Sequence, residues 1–460
     1  MNKTKYVPTG VSPLLSMMAV ILFLLSFDRR TDGLCAILTW LLLLASVPRM
    51  MSVKRASLGE LLAPRDLPIS ASLCMAGLCA WVCITVLSHF WSVNPLMTAE
   101  STVREILPQA GIFLLIINLR EWLFTDSNRQ VRVLANAYSV LAFIMMGILI
   151  LQTFFGDIVG ATFNDLRLIL ARPDEPQTPW RLLFPCNTHN RTAFFCFTAI
   201  FFIAGTLTFM PHPRRDKLWS VGLICLLVAV CATMTRALIV SLIIGIAILV
   251  VGLSIAHFNR RNTLLLAIVA ILIAAGTAWQ FTPQSWRGYM TQPFSKQAWT
   301  PGQETTTGMR LYLWQKTTAL IEERPALGYG GGWEIYYGVF GKAFPEAHAQ
   351  MPEREFPPHH CHNVPMQVCF ETGIIGMAAF MLFMLSRLFT EIATAIAALR
   401  AGRGHDLRVM AMVCAVELSM LIYIMTNYPM RRGMGLMMFM IWAICYAATL
   451  NIHERQKNYY

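Results

Sequence analysis

Residues 236–257 read RALIVSLIIGIAILVVGLSIAH, an arginine followed by a run in which positions 237–256 carry no charge. About 20 apolar residues are what a helix needs to cross roughly 30 Å of hydrocarbon. In lipid every backbone N–H and C=O must find a partner within the protein, so a spanning segment is either a helix or a strand of a closed barrel. The run lacks the strict alternation of a barrel strand, which leaves a membrane helix. Applied along all 460 residues, the same criterion gives twelve spans, near 12–28, 33–48, 69–90, 105–124, 132–155, 191–210, 217–235, 237–257, 263–281, 364–387, 408–426 and 434–452. The first has no small-residue cleavage site and reads as a retained helix rather than a signal peptide. Composition agrees, with 56% hydrophobic and 13% charged residues, against about 25% charged in a soluble domain. The expectation is an all-α polytopic membrane protein of about twelve transmembrane helices.

Lysine and arginine in short loops mark the cytoplasmic side. Alternate connections hold Lys3 and Lys5; Arg49, Lys54, Arg55 and Arg65; Arg120, Arg129 and Arg132; Arg214, Arg215 and Lys217; Arg260 and Arg261; Arg387, Arg400, Arg403 and Arg408; Arg455 and Lys457. That pattern puts both termini in the cytoplasm and the two long connections, 156–190 and 282–363, outside. The chain divides into residues 1–281 with helices one to nine, a large outside loop over 282–363, and residues 364–460 with helices ten to twelve. Much of the formal charge of +12 is then topology signal and contact with acidic headgroups, and no nucleic-acid partner is expected.

Ten of the twelve cysteines fall in the spans, where a thiol acts as a small apolar filler. Cys186 and Cys361 lie one in each outside loop, where an oxidising compartment allows a bridge; two unpaired thiols are the simpler reading. The 282–363 loop is far longer than the roughly 15 residues beyond which connections are uncommon unless functional or disordered. Within it, GMRLYLWQKTTALIEERP places Met309, Leu313, Lys316/Thr317 and Leu320/Ile321 near a 3.6 period and stops before Pro325, an amphipathic helix lying on the outer surface. GYGGGWEIYYGVF follows as a tight turn beside aromatics; it lacks the lysine and serine or threonine of a phosphate-binding loop.

FPPHHCHNVPMQVCFETGIIG, residues 356–376, concentrates histidine and cysteine. Zinc sites draw on separated ligand pairs, and no second pair occurs, so no metal is expected. Nothing in the sequence identifies a lowered thiol pKa at Cys361. Asn363 suits a helix N-cap and Pro365 a first helical turn. His362 then sits at the positive end of a helix dipole, which opposes protonation and favours a neutral imidazole. Two roles fit, a general base or a backbone-bonded cap. Gln367 and Glu371 share a face deeper in the helix, while Gly373 and Gly376 leave room for another helix. Arg236 sits between spans seven and eight in CATMTRALIVS. An intramembrane cation implies a partner, here either an anionic ligand or a lipid phosphate reached by snorkelling. Arg310 and the Arg431/Arg432 pair also face outside, and together these cations suggest a pocket for a phosphorylated lipid.

Three stretches, TMTRALIVSLIIGIAI (233–248), MRLYLW with RPALGYGGGW (309–314 and 324–333), and HNVPMQVCFETGIIG (362–376), resemble the successive signatures of the O-antigen ligase and polymerase superfamily. The resemblance covers about residues 180–380. It implies an inverting, metal-independent glycosyltransferase of the GT-C type without cofactor, facing the periplasm of a bacterial inner membrane. The implied donor is a glycan on undecaprenyl diphosphate, and the implied acceptor is a lipid A-core sugar. By position, Arg236 and Arg310 would hold the donor diphosphate and His362 would deprotonate or orient the acceptor hydroxyl. His189 and Arg191 in NTHNR, with Asn363, Gln367 and Glu371, are further candidate contacts. The family offers no role for FPPHH. A ligase is the preferred expectation; the alternatives are a polymerase that uses a second lipid-linked repeat, a protein-directed oligosaccharyltransferase, and a secondary transporter, for which Glu417 in span eleven is the candidate midplane charge.

Overall fold

The computed structural model describes residues 12–25, 30–54, 68–123, 129–163, 182, 189–209, 215–233, 235–256, 306–350, 357–430 and 432–457. Every regular element among them is helical: α1 (Ser12–Leu24), α2 (Arg30–Lys54), α3 (Ile69–Leu87), α4 (Pro95–Ser101), α5 (Leu107–Leu123), α6 (Arg129–Phe163), α7 (His189–Phe209), α8 (Asp216–Ala232), α9 (Arg236–Ala256), α10 (Thr306–Glu323), α11 (Trp333–Ala343), α12 (Val364–Arg400), α13 (Gly404–Thr426) and α14 (Arg432–Lys457). Among the described residues, eight segments are long and apolar enough to cross a membrane, and Leu14–Leu24 and Gly33–Pro48 are shorter apolar helices. Eleven of the twelve apolar runs thus fall on helices. The ninth, 263–281, lies outside the described residues, as does most of the 156–190 connection. α6 continues to Phe163, past the end near 155 read from the sequence.

The bundle closes where side chains shrink. A Cβ on Gly77 of α3 would lie 2.5 Å from the backbone nitrogen of Phe383 on α12, so these two helices touch along their backbones. Between α9 and α13, a Cβ on Gly245 would lie 3.0 Å from the Ala415 carbonyl, and one on Gly252 would lie 3.2 Å from Ala411 Cα. The order reverses along the pair, so these helices run antiparallel. Aromatic rings fill the wider spaces: Phe383 stacks on Phe439 at 5.9 Å, and Phe113 meets Phe383 edge-on at 5.2 Å. At the end of the bundle remote from His362, Arg120 pairs with Glu454 at 2.5 Å and Arg455 with Asp406 at 3.2 Å.

A second, smaller core forms where α10 and α11 pack on the start of α12. Leu313, Leu320, Tyr336, Phe340 and Phe370 are buried in it. The anticipated helical face of α10 is present, with Leu313, Thr317 and Leu320 all buried. It differs in what it covers: this face meets the chain's own aromatic residues rather than a lipid surface, and Thr317 Oγ1 shares a hydrogen bond of 2.7 Å with the Tyr336 hydroxyl.

α12 is broken at Gly373, whose φ of 68° and ψ of −174° depart from helix. Phe370 and Glu371 lose their usual helical donors there, and an unpaired buried carbonyl is costly. The segment after α10 supplies replacements: Tyr329 N–H donates to Phe370 O at 3.0 Å, Gly330 N–H to Glu371 O at 2.9 Å, and Ile374 N–H to Pro325 O at 2.8 Å. A Cβ on Gly373 would lie 2.1 Å from the Ala326 carbonyl. This glycine therefore admits a loop and a helix break, not the helix–helix approach expected for it; Gly376 does face a helix, with Ile84 of α3 3.4 Å from a Cβ there. The glycine turn is tight as anticipated, with positive φ at Gly328, Gly330 and Gly332, a region open to glycine at little steric cost. Gly331 N–H donates to Ser88 Oγ at 2.9 Å.

Candidate functional site

Asn363 caps α12 as its sequence context requires, its side chain accepting from Met366 N–H at 3.0 Å with Pro365 in the first turn. Its amide also donates to Met425 O at 3.0 Å, which ties the start of α12 to the end of α13. His362, immediately before the cap, adopts φ 58°. Left-handed backbone at a non-glycine residue costs on the order of 1–3 kcal/mol and gathers at functional sites. The conformation is held by His362 N–H donating to His360 Nδ1 at 3.3 Å. His362 Nδ1 lies 3.4 Å from Asn427 Oδ1. An amide oxygen can only accept, so this contact places the ring proton on Nδ1 and leaves the Nε2 lone pair free.

The imidazole is half-buried, and its pKa is lowered to about 3, first by burial and then by the Arg310 charge, with the Asn427 contact opposing. It is a neutral ring at neutral pH. Arg310, in the first turn of α10, is therefore close enough to act on His362 through its field, and it acts on Tyr423 of α13 as well. Arg236 opens α9. The antiparallel register with α13, fixed at Gly245 and Gly252, carries the start of α9 to the level of the Met425–Asn427 end of α13. Arg236 and His362 thus occupy the same end of the bundle. Arg191 is buried in the first turn of α7, where its guanidinium donates to Leu25 O at 3.4 Å, and Phe194 one turn on stacks over Tyr423 at 5.5 Å. His189 begins α7 and Arg432 begins α14, at positions whose side chains are not described, and Arg431 lies outside the described residues.

Gln367 and Glu371 support the site from beneath. Gln367 Oε1 accepts from Cys361 N–H at 3.1 Å and its amide donates to Glu371 Oε1 at 2.9 Å; the Tyr428 hydroxyl donates to the same oxygen at 3.3 Å. Both side chains are buried, so they shape the HHCH turn and do not present themselves at its surface. Cys361 is a buried free thiol donating to Asn363 O at 3.3 Å. Burial pushes its pKa up, away from nucleophilic use, and Cys186, its possible bridge partner, lies outside the described residues. The three imidazoles do not converge on one point: His359 turns away to stack on Tyr337 at 5.1 Å, whereas His360 meets His362 edge-on at 4.2 Å. No group of three His, Cys, Asp or Glu side chains suited to a metal occurs among the described residues.

Sequence reasoning missed Asn427, Tyr428 and Tyr423. NYP at 427–429 ends an apolar run and reads as a plain helix stop; the only available hint was its position between two spans on the side assigned to His362.

Residues 221–381 match the family described as O-Antigen ligase. That segment contains Arg236, Arg310, His362, Asn363, Gln367 and Glu371 together. A stretch of 140 residues is also 27% identical to the O-antigen ligase of Salmonella typhimurium, covering 29% of this chain and 31% of that protein. The chain therefore spans about a third of the length of the curated relative it matches, and the resemblance to the ligase family is shown over this middle part of the chain.

Proposed function

We propose that this protein is a multi-pass bacterial inner-membrane glycosyltransferase of the GT-C type, an O-antigen ligase working at the periplasmic face. It moves a preassembled polysaccharide from undecaprenyl diphosphate to a hydroxyl of a lipid A-core sugar. The observation that carries this reading is the conjunction of Arg310 and a neutral His362 in one electrostatic neighbourhood, within the segment that matches the ligase family.

The residue types suit the reaction. A departing diphosphate accumulates negative charge, and guanidinium groups with fixed, forked donors stabilise it. Arg310 and Arg236 take that part. The acceptor hydroxyl attacks the anomeric carbon from the face opposite the diphosphate, so the C–O bond to the diphosphate breaks as the new glycosidic bond forms and the configuration inverts. The hydroxyl proton passes to Nε2 of His362, whose Nδ1–H is held by Asn427. Burial and the Arg310 charge keep the ring neutral, with Nε2 open to accept from the acceptor hydroxyl; the donor diphosphate, bound beside it, offsets the Arg310 charge and raises the basicity of the ring toward the range a general base needs. Once it does, the imidazolium and the guanidinium groups together face the released diphosphate. No metal enters these steps, and both chain termini lie in the cytoplasm. The outside segment that carries α10 and α11 covers the lipid-diphosphate pocket.

Purified protein, a lipid-linked glycan donor and two acceptors, lipid A-core and a lipid-linked repeat, with a chelator present, form the test. Transfer to lipid A-core is the expected result. Transfer to the lipid-linked repeat alone makes the protein a polymerase. His362→Ala, Arg236→Ala and Arg310→Ala should each reduce transfer by at least about 100-fold, the size expected when a general base or a charge-stabilising donor is lost, with insertion into the membrane unchanged. Normal transfer by any one of them removes that residue from the mechanism.

A further inference from the structure

Away from the His362 end, the seam between α12 and α13 holds three charged side chains. Arg387, Glu391 and Glu417 are 1%, 0% and 4% exposed. Arg387 lies 14 residues past the Gly373 break and 13 before the end of α12 at Arg400, about 20 Å from either at 1.5 Å per residue. That is the middle of a hydrocarbon layer roughly 30 Å thick.

The three charges do not balance. Arg387 Nη1 meets Glu417 Oε1 at 2.5 Å, whereas Glu391 Oε1 stands 3.9 Å from the same nitrogen. Both oxygens of Glu391 are buried without a hydrogen-bond partner, although a carboxylate there would need several. Among the described residues, the groups that act electrostatically on Glu391 and Glu417 include no cation besides Arg387. Cys74 from α3, Cys414 from α13, and Cys445 and Tyr446 from α14 are the titratable groups in electrostatic reach. The indole ring of Trp442 lies against Arg387 at 4.7 Å, and the Thr394 hydroxyl on α12 is itself unpartnered. One guanidinium facing two carboxylates leaves a net negative charge in an environment where an uncompensated ion neutralises instead.

We infer that this triad is a proton-binding site: Glu391 is held as the neutral carboxylic acid, and Arg387 with Glu417 forms the ion pair. The proton makes the seam electroneutral, so α12 and α13 cross the hydrocarbon without a net charge. A bound metal cation would serve the same balance but needs several oxygen ligands, and around Glu391 the unpartnered oxygens are its own two and that of Thr394. Glu417, the midplane charge that a transporter reading would use, is occupied by Arg387. The inference stands on charge and burial in the bundle and is independent of the transferase reading.

Infrared spectroscopy of the purified full-length protein in lipid nanodiscs tests it through the C=O stretch of a buried carboxylic acid. The wild type should show this band well above the pH at which an exposed carboxyl, with pKa about 4.3, has ionised. Glu391→Gln should remove it while leaving the thermal midpoint unchanged, because the amide copies the neutral acid in shape. Glu417→Gln should also remove it, since Glu391 then gives up its proton to pair with Arg387. Arg387→Gln should add a second acid band, and Glu391→Asp, which keeps the acid, should shift the band without deleting it. The inference is overturned if the wild type lacks a band that Glu391→Gln removes, or if sodium or potassium abolishes that band. A band that survives Glu417→Gln and Arg387→Gln unaltered would also overturn it, because the charge count would then be irrelevant.

Discussion

At the scale of single residues, His362 combines two features that a bland capping role does not need: a left-handed backbone and a pKa lowered to about 3. The backbone feature gives a stability test that activity cannot confuse. Glycine accepts positive φ where alanine does not, so His362→Gly should unfold at a higher temperature than His362→Ala, by the equivalent of about 1 kcal/mol, with both inactive in transfer. Equal midpoints would mean the turn relaxes and the strain is absent. The second feature has two causes, burial first and the Arg310 charge second. Removing the positive charge of Arg310 removes an effect that opposes protonation, so Arg310→Gln should raise the His362 pKa from about 3 toward the ordinary histidine value of 6.5, followed by nitrogen NMR of the labelled ring. In the native protein, the unfolded chain binds a proton between about pH 6.5 and 3 that the folded ring refuses. This group's contribution to stability is therefore present above that window and is lost as the pH falls through it.

The element that organises the site is the broken helix α12. Its first turns carry the Asn363 cap, Gln367 and Glu371; the Gly373 break lets the segment 325–330 dock by three backbone hydrogen bonds. The same segment reaches the other side through Trp91, whose indole N–H donates to Leu327 O at 2.8 Å. α12, the glycine turn and the Ser88–Phe90 turn after α3 are thus one clamped unit. Gly373→Ala adds a Cβ where the Ala326 carbonyl leaves 2.1 Å, at a φ alanine avoids. Overpacking and backbone strain together should lower stability by about 2–4 kcal/mol. Transfer should fall with it, because Gln367 and Glu371, which hold the HHCH turn, sit next to the break. Thermal unfolding and transfer measured on one sample check this; a variant as stable and active as wild type would mean that the break is not required.

Across the whole molecule, the partly buried ion pairs and the aromatic layers give a bundle with two unlike ends. Arg120–Glu454 and Arg455–Asp406 mark one, and His362, Arg310 and the second aromatic core mark the other. The proposed orientation makes a direct prediction. With the reactive native thiols replaced, Tyr337→Cys on the exposed face of α11 should react with a membrane-impermeant maleimide in intact spheroplasts. Ala401→Cys, in the exposed turn between α12 and α13, should react only after permeabilisation. The reverse pattern would place the site in the cytoplasm and remove the lipid-linked donor from reach. One cation changes its meaning at this scale: Arg387, counted in the sequence among loop charges that set topology, is buried mid-helix against Glu417, and the orientation then rests on its neighbours Arg400, Arg403 and Arg408.

The sequence by itself determined the class and the parts. Apolar runs that lack the alternation of a barrel strand can satisfy their backbones in lipid only as helices, and eleven of them fall on helices here. Asn363 and Pro365 at the head of α12 fix a cap locally, so the position of His362 before a helix dipole was legible from a few adjacent residues. Tertiary structure alone decided which distant residues complete the site. The chain brings Asn427 to His362 across 65 positions and Tyr428 to Glu371 across 57, and it lays α10 on aromatics of its own core. It also decided that Gly373 breaks a helix and that Arg387, Glu391 and Glu417 are buried together in one seam. The physical reason is range: caps and spans are set by interactions within a turn or along one segment, whereas partners and charge balance depend on which helices pack together.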